Sequence, residues 1–201
     1  MLLRLHRTLL ERAFQILLSF LPASITSWIQ DKLPEWCLPE NIVFKIQKDD
    51  WAEEFERERA IYEQLRPLQG VVIPHCYGCV NYDGKRALIL SNIGGACLAT
   101  PAGAVLAEKD LKPLLSQALT ALAQMGVAHD DTKLDNFHLV TNDGKDKIMI
   151  VDLEIVDTSP SEDNYAFATF SNVSHMIGLY RMHLDCLQHD GYLLPKRPLN
   201  A

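Results

Sequence analysis

Glycine is missing from the first third of the sequence, where none occurs before Gly70. This absence excludes a glycine-rich phosphate-binding loop from residues 1–69, because such a loop needs residues without a Cβ to bring backbone N–H groups against phosphate. Cysteine is also sparse: five residues, an odd number at irregular spacing, do not form a disulfide framework. We therefore expect a reducing, cytoplasmic location. No apolar run reaches the roughly 18–20 residues that span a bilayer.

Basic residues are outnumbered, with 19 Lys and Arg against 26 Asp and Glu, for a formal net charge of -7. Residues 1–33 carry a net charge of +2, so the remainder carries -9. A broad nucleic-acid-binding surface is not expected from this balance. Hydrophobic residues make up 48% of the 201 positions and charged residues 22%, which is typical of a globular chain with one large domain or two small lobes.

Residues 2–21 are predicted to form a helix, because polar positions recur every three or four residues in an otherwise apolar segment. Two interpretations of this helix stay open. Packing onto the rest of the fold is favoured over a basic amphipathic anchor in contact with a membrane surface. A cleaved signal peptide is disfavoured, because Gln15 and Ser19 interrupt the apolar run and residues 22–24 make a poor cleavage site.

The rest of the sequence alternates short β-branched runs with three helical segments, and the segment from Leu111 has a clear 3.6-residue period. An Asp83-Gly84 turn joins two of the strands, Gly94-Gly95 fits a hinge, and Gly126 caps the first long helix. The predicted elements are strands at 42–46, 71–73, 87–90, 137–140 and 148–151, and helices at 51–65, 111–125 and within 163–189.

Two polar motifs follow these elements. His129-Asp130-Asp131-Thr132-Lys133-Leu134-Asp135-Asn136 lies between the long helix and a strand, and Asp152-Leu153-Glu154 directly follows an apolar strand. Phosphoryl transfer requires a carboxylate near the acceptor hydroxyl and hard oxygen ligands that hold Mg²⁺ against the phosphates. The first motif supplies carboxylates and an amide oxygen, and the second supplies further carboxylates.

The spacing His129-x-Asp131-x-Lys133-x-x-Asn136, followed by Asp152, resembles the catalytic loop and the metal-binding Asp of the protein-kinase-like superfamily. The resemblance implies an α+β, two-lobed protein-kinase-like fold with a reduced N-lobe sheet and a truncated helical C-lobe. It divides the chain into an N-terminal helical extension (1–40), an N-lobe-like sheet plus helix (41–92) and a minimal C-lobe with the catalytic loop (93–201).

The same resemblance implies a role for each motif residue. Asp131 would be the catalytic base and Lys133 would stabilise the transferring phosphate of ATP. Asn136 and Asp152 would hold Mg²⁺. His129 would pack and bond to the backbone without carrying a proton.

The resemblance also assigns cofactor-binding residues earlier in the chain. Lys45 would hold the α- and β-phosphates of ATP, and Glu58 would be its ion-pair partner, with Glu56 as the alternative if the helix register differs. The hinge residues that would contact adenine are Ser91, Asn92 and Ile93.

Several features depart from the pattern of ordinary protein kinases. Asp152-Leu153-Glu154 lacks the usual glycine, which is more similar to choline kinases and some small-molecule phosphotransferases. Only 49 residues follow Asp152, and no Ala-Pro-Glu occurs among them, so a regulated Ser/Thr or Tyr protein kinase is not expected. The chain also resembles fungal kinase-like proteins, in stretches such as 33–36 and 68–74.

Two functions therefore stay open. The favoured one is ATP- and Mg²⁺-dependent phosphotransfer to an unidentified small-molecule or protein acceptor. The alternative is a pseudokinase or protein-interaction module with little or no nucleotide turnover. The Cys76-x-x-Cys79 motif could indicate zinc or redox chemistry, but it has no second ligand pair at suitable spacing, and two ordinary half-buried thiols are the favoured interpretation.

Overall fold

The computed structural model describes residues 1–4, 14, 16–18, 20–22, 25–26, 29, 38–158, 162–192 and 197–200. It is a mixed α+β structure with small antiparallel sheets. Its contacts divide the chain into two compact units, Met1–Asp50 with His75–Asn92, and Trp51–Pro74 with Ile93–Ala201. The helix predicted at 51–65, which the sequence analysis places with the sheet of residues 41–92, thus belongs to the second unit.

The first unit is a four-stranded antiparallel sheet in the order β1-β2-β4-β3. The β4 strand occupies an interior position, and its residues Ala87 to Leu90 are buried. A tight turn at Asp83 and Gly84, both with positive φ, connects β3 to β4. The strands are β1 (Leu2–Arg4), β2 (Asn41–Ile46), β3 (Cys76–Tyr82) and β4 (Lys85–Ser91).

The helix predicted over residues 2–21 is wrong at its beginning, because Leu2–Arg4 form β1. The three residues pair with β2 in antiparallel register, Leu2 opposite Val43, and the N–H of Phe44 donates to the Met1 carbonyl at 2.7 Å. Helical periodicity depends only on the pattern of polar and apolar side chains. It cannot show that the unpaired backbone groups at the edge of a sheet are available to pair with this segment. Residues 16–18 are helical, and most of the remaining predicted helix lies outside the described residues.

The strand predicted at 71–73 is also wrong, because Val71 and Val72 form a turn and Ile73 makes only an isolated bridge with Gln69. The N–H groups of Val71 and Val72 both donate to the Leu68 carbonyl, and Gly70 has a φ of 76°. Val72 and Ile73 are nevertheless buried, so the β-branched run reflects core packing. The strand lies three residues later, at β3, and its pairing with β4 is irregular between Cys76 and Gly78.

The second unit combines three helices with short strands. A three-stranded sheet in the order β5-β7-β8 and a separate β6-β9 pair lie in it. Its elements are α1 (Ala52–Gln64), β5 (Ala96–Cys97), α2 (Glu108–Gln124), β6 (Ala128–His129), β7 (Phe137–Asn142), β8 (Lys145–Ile150), β9 (Val156–Asp157) and α3 (Glu162–His189), with single 3-10 turns at Arg66–Leu68 and Leu134–Asn136.

Helices α2 and α3 pack antiparallel. At one end, the Tyr165 hydroxyl donates to the Gly126 carbonyl at 2.7 Å, and at the other the buried Tyr180 hydroxyl donates to the Leu106 carbonyl at 2.9 Å. The predicted 3.6-residue period of α2 is confirmed, because its apolar residues form one buried face. These residues are Leu111, Leu114, Leu115, Ala118, Leu119 and Leu122.

Gly95, in the predicted hinge, lies against β7. It has a φ of 71°, and a Cβ at this position would collide with the carbonyl oxygen of Leu139 and lie 2.7 Å from a methyl group of Val140. Glycine is therefore required at this position for two reasons, the close packing against β7 and the positive φ. In the part of the chain that the structure describes, no helix is both long and apolar enough to cross a membrane.

Candidate functional site

The β7–β8 hairpin brings the two polar motifs of the sequence together. Its register pairs Phe137 with Ile150, and the N–H of Val151 donates to the Asn136 carbonyl at 2.9 Å. Asn136 immediately precedes β7, whereas Asp152 lies two residues after the end of β8. Both therefore lie at the open end of the hairpin, opposite its Asp143-Gly144 turn.

Asp131 is held by two polar residues of its loop, Lys133 and Asn136. Its carboxylate accepts from Lys133 Nζ, at 2.8 Å to Oδ1 and 3.1 Å to Oδ2, and from Asn136 Nδ2, at 3.0 Å to Oδ2. Asn136 Nδ2 also donates to the Asp131 carbonyl at 2.9 Å. The Asp131 side chain is only 18% exposed, so the loop fixes its orientation.

The electrostatics of this loop favour an ionised Asp131. Burial raises the pKa of this carboxyl, but the hydrogen bonds from Lys133 and Asn136 outweigh burial and leave the pKa below its ordinary value. The hydrogen bond to Asp131 raises the pKa of the exposed Lys133. At neutral pH the loop therefore presents a carboxylate beside an ammonium group.

Asp152 adopts a left-handed backbone conformation, with a φ of 65°. This conformation costs a non-glycine residue about 1–2 kcal/mol. Hydrogen bonds on both sides hold it: His129 Nε2 donates to the Asp152 carbonyl at 2.9 Å, and the N–H of Glu154 donates to Asp152 Oδ1 at 3.1 Å.

His129 positions Asp152 and stays neutral. Its ring is buried and makes an edge contact with Phe137, with the ring centroids 5.5 Å apart. Because a carbonyl can only accept, the Nε2 that faces Asp152 carries the proton. Burial lowers the pKa of His129, which favours the uncharged imidazole. This geometry agrees with the packing and backbone-bonding role predicted from the sequence.

Glu58 reaches the same region from α1. It is fully buried, and its Oε1 accepts from the N–H of Leu153, the residue after Asp152, at 3.1 Å. Glu56, the alternative residue, lies on the exposed side of α1 in a 2.9 Å ion pair with Arg59. Of the two helix carboxylates, Glu58 is thus the one that faces the residues around Asp152.

The remaining predicted cofactor residues lie in the other unit or at its boundary. Lys45 is in β2, opposite Leu88 of β4. Ser91 ends β4, and its Oγ accepts from the N–H of His75 at 2.9 Å. Asn92 is the last residue of the first unit and Ile93 begins the next segment of the second.

Sequence reasoning missed two residues that contact the loop. Asn172, from α3, donates through Nδ2 to the His129 carbonyl at 2.8 Å. The Cys97 thiol lies 3.6 Å from the Asp135 carbonyl and 3.7 Å from that of Leu134, and burial raises its pKa. Neither residue belongs to a motif, and each is 37 or more residues from its partner in sequence, so no local pattern indicates them.

Asn136 and Asp152 both carry oxygen atoms, the ligand type that Mg²⁺ prefers in proteins. Asn136 turns its Nδ2 toward Asp131, which leaves the amide oxygen for another partner, and Asp152 supplies a carboxylate. Among the described residues, no group of three or more His, Cys, Asp or Glu could hold a metal ion. Mg²⁺ does not need such a group, because it is usually bound by one or two protein oxygens together with phosphates and water.

Cys76 and Cys79 lie in strand β3 and are not joined by a disulfide bond. Cys79 is exposed and Cys76 is half-buried. This placement provides no helix N-terminus of the kind that activates a redox dithiol.

The sequence matches no family model, and it matches none of the curated proteins compared with it.

Proposed function

We propose that this chain is an ATP- and Mg²⁺-dependent phosphotransferase with a two-lobed, protein-kinase-like fold. The observation that supports the proposal is the arrangement around Asp131: an ionised carboxylate, fixed by Lys133 and Asn136, at the end of a hairpin that also carries Asp152. A fixed carboxylate beside a cation and hard oxygen donors is the set of groups that phosphoryl transfer uses.

In the proposed reaction, Asp131 accepts the proton of the acceptor hydroxyl. The hydroxyl oxygen forms a bond to the γ-phosphorus while the bond from that phosphorus to the bridging oxygen breaks, and ADP leaves with the electron pair of this bond. Lys133, exposed beside Asp131, donates hydrogen bonds to the transferring phosphate. Asn136 and Asp152 would hold Mg²⁺, whose chemistry is to neutralise phosphate charge.

The other proposed contacts come from residues outside this loop. Lys45 would hold the α- and β-phosphates with Glu58 as its partner, and Ser91, Asn92 and Ile93 would contact adenine. Glu58 has a further role in the proposal, because its bond to the Leu153 N–H fixes the backbone next to Asp152. Since Asp152-Leu153-Glu154 is similar to small-molecule phosphotransferases, we favour a small hydroxyl-bearing acceptor in a reducing compartment over a protein.

Binding is the first test of the proposal. Calorimetric titration of ATP into the purified chain should give binding that requires Mg²⁺ and disappears with EDTA. Asp152→Ala should weaken Mg²⁺-dependent binding by about 10-fold or more, because it removes a charged ligand. Asp130→Asn is the matched control, since Asp130 is exposed and outside the proposed machinery, and it should bind as the unmodified chain does. Absence of binding at millimolar ATP would contradict the proposal.

Turnover is tested separately, by release of ADP with water as acceptor. Asp131→Asn should lower the rate by about 100-fold or more while nucleotide affinity changes little, because the lost group acts on the acceptor. Asp130→Asn again serves as the control. An unchanged rate of ADP release in Asp131→Asn would show that Asp131 is not the base.

The absence of glycine before Gly70 favours a second candidate function, a pseudokinase or protein-interaction module. Without a glycine-rich loop, fewer backbone N–H groups can cover the phosphates of ATP. The two functions differ in one readout. A chain that binds ATP with Mg²⁺ but releases no ADP above the Asp131→Asn rate would support the module.

A further inference from the structure

The described part of the N-terminal segment exposes large apolar residues. Residues 16–18 are helical, and the N–H of Phe20 donates to the Leu17 carbonyl at 3.1 Å, so Phe20 lies one turn beyond Ile16 and Leu17. Ile16, Leu17 and Phe20 are 63%, 58% and 80% exposed. We call these three residues the N-terminal patch.

The N-terminal patch and Leu18 lie on different sides of this helical turn. At about 100° per residue, the three residues of the patch fall within one arc of about 100°, and Leu18 lies outside that arc. Leu18 is buried. Packing onto the fold, the interpretation that the sequence favours for this segment, therefore accounts for Leu18 but not for the patch. Exposed apolar patches of this kind mark surfaces that bind a partner or a membrane.

The sequence around the patch is basic, in a chain that is otherwise acidic. Arg4, Arg7 and Arg12 precede the patch, and Glu11 is the only acidic residue among the first 30. The 18 residues from Ala13 to Gln30 contain no Asp, Glu, Lys or Arg. The net charge of +2 on residues 1–33, against -9 on the remainder, indicates a partner that is negatively charged.

Charge and shape together favour an anionic lipid surface over other negatively charged or apolar partners. A two-fold contact between two copies through the patch would bring two positive segments together, which like-charge repulsion opposes. An acidic protein would need a pocket shaped for three neighbouring apolar side chains. A bilayer needs no such pocket, because apolar side chains enter the acyl boundary while basic residues remain among the headgroups. The same uncharged run includes Trp28, a residue type that is enriched at membrane–water interfaces.

We propose that residues 1–33 bind a membrane surface that contains anionic lipid. The N-terminal patch inserts at the acyl boundary, and the arginines that precede it contact the charged headgroups. The negative charge of the remaining chain is repelled by the same surface, so the chain binds through this end. The contact is peripheral, and the proposal does not depend on phosphotransfer.

Sedimentation of the full chain with sucrose-loaded vesicles tests the proposal. One set of vesicles contains phosphatidylcholine alone, and the other contains phosphatidylcholine with about 30% phosphatidylserine. We expect the partition coefficient to be about 10-fold or more higher for the anionic vesicles, because basic residues are attracted to their surface. Raising the salt concentration should reduce this difference, since salt screens the attraction.

Substitutions separate the apolar contribution from the charged one. Phe20→Ser should lower the partition coefficient for anionic vesicles by about 10-fold or more, because it removes the most exposed ring of the patch. Phe167→Ser is the matched control, since Phe167 is 74% exposed on α3, and it should bind as the unmodified chain does. Arg12→Gln should lower the coefficient by about 5-fold. Its control is Arg66→Gln, at an exposed arginine outside the segment, which should have no effect.

Circular dichroism checks that Phe20→Ser keeps the helix content of the unmodified chain, and if it does not, Leu17→Ser replaces it with the same expectation. The proposal is overturned if the chain binds neither set of vesicles, or binds both equally. It is also overturned if Phe167→Ser weakens binding as much as Phe20→Ser does. A chain that ignores vesicles and forms a dimer that Phe20→Ser dissociates would assign the patch to a second copy instead.

Discussion

The carboxylate of Glu58 has no exposed surface, and it accepts a hydrogen bond from the N–H of Leu153, 95 residues later in the chain. Burial of a carboxylate is costly unless hydrogen bonds compensate. The bond to Leu153 provides such compensation and connects α1 to the residues that follow β8. Glu58 therefore stabilises the second unit whatever chemistry takes place at Asp152.

We predict that Glu58→Ala lowers the free energy of unfolding by about 1–3 kcal/mol, because it leaves the buried Leu153 N–H without its acceptor. Glu58→Gln keeps an acceptor oxygen and should cost less. Urea denaturation followed by circular dichroism measures both changes. The control is Glu56→Ala, at an exposed ion pair on the same helix, which should change stability by less than about 0.5 kcal/mol. Equal losses in Glu56→Ala and Glu58→Ala would contradict this account.

The contacts of Glu58 and Asn172 show which features of single residues could be predicted from the sequence and which could not. The choice of Glu58 over Glu56 follows from helical register, and the structure agrees that Glu58 is the buried one. Its bond to Leu153 could not be predicted, because 95 residues separate the partners. Asn172 is a similar case, since an asparagine in the middle of a helix carries no local sign that its amide reaches the His129 carbonyl.

At the scale of elements, the predictions that succeeded rest on periodicity. Helix α2 and the β7–β8 hairpin follow from apolar spacing and turn residues. The predictions for 2–4 and 71–73 failed for another reason. Whether a short apolar run pairs as a strand depends on a free sheet edge, which is a tertiary property. Leu2–Arg4 find such an edge at β2, and Val72 is buried from within a turn.

The contact between Gly95 and β7 allows a test of close packing between elements. Gly95→Ala should lower the free energy of unfolding by about 3 kcal/mol, because the new methyl group collides with Leu139 and the left-handed φ disfavours alanine. Gly84→Ala shares the positive φ but meets no atom within 4 Å, and should cost about 1 kcal/mol. Chemical denaturation compares the two variants. Similar losses at both positions would mean that backbone conformation alone requires glycine at Gly95.

Residues 197–200 are joined to the β7–β8 hairpin through Asp146. Both carboxylate oxygens of Asp146 accept from Arg197, at 2.6 and 2.8 Å, and further donors are Thr141 Oγ1 and the N–H of Asn200. Arg197 is the main cause of a pKa of about 2 for Asp146, below its ordinary value of 3.8. The Asp146 side chain has no exposed surface, which limits screening of this pair by water.

The lowered pKa predicts how stability depends on pH. A carboxyl whose pKa is lower in the folded chain stabilises it fully above the unfolded value, near 3.8, and loses this contribution as pH falls toward about 2. Arg197→Ala should therefore cost about 2 kcal/mol at pH 7, and the difference from the unmodified chain should shrink between pH 4 and pH 2. Urea unfolding of both chains at pH 7, 4 and 2.5 measures it. A difference that stays constant with pH would contradict a role for the Asp146 charge.

At the scale of the whole molecule, the chain passes between its two units three times, after Asp50, Pro74 and Asn92. The division at 41–92 predicted from the sequence includes α1, whereas the contacts group α1 with residues after Asn92. Local patterns could not show this, because residues 51–74 meet their partners through distant contacts, such as that of Gln64 in α1 with Met125 and that of Val72 with Ile150.

This grouping predicts which fragment folds. A fragment of residues 51–201 keeps α1 with the contacts of Glu58, Gln64 and Val72, and should unfold cooperatively in urea. A fragment of residues 93–201 lacks these contacts and should show weaker or no cooperativity. Circular dichroism during denaturation compares the two. Equal stability of both fragments would show that α1 contributes little to the second unit.

The long separation between Glu58 and Leu153 has a consequence for the order in which the chain is made. Ribosomes add about 5–20 residues per second, so Glu58 emerges some 5–20 s before the N–H that donates to it. Helix α1 is thus synthesised well before its partner segment, and its buried carboxylate remains hydrated through that interval. The contact of Glu58 forms only after translation has passed the end of β8, and the contacts of α3 and Arg197 form later still, so the nascent second unit exposes hydrophobic surface until then.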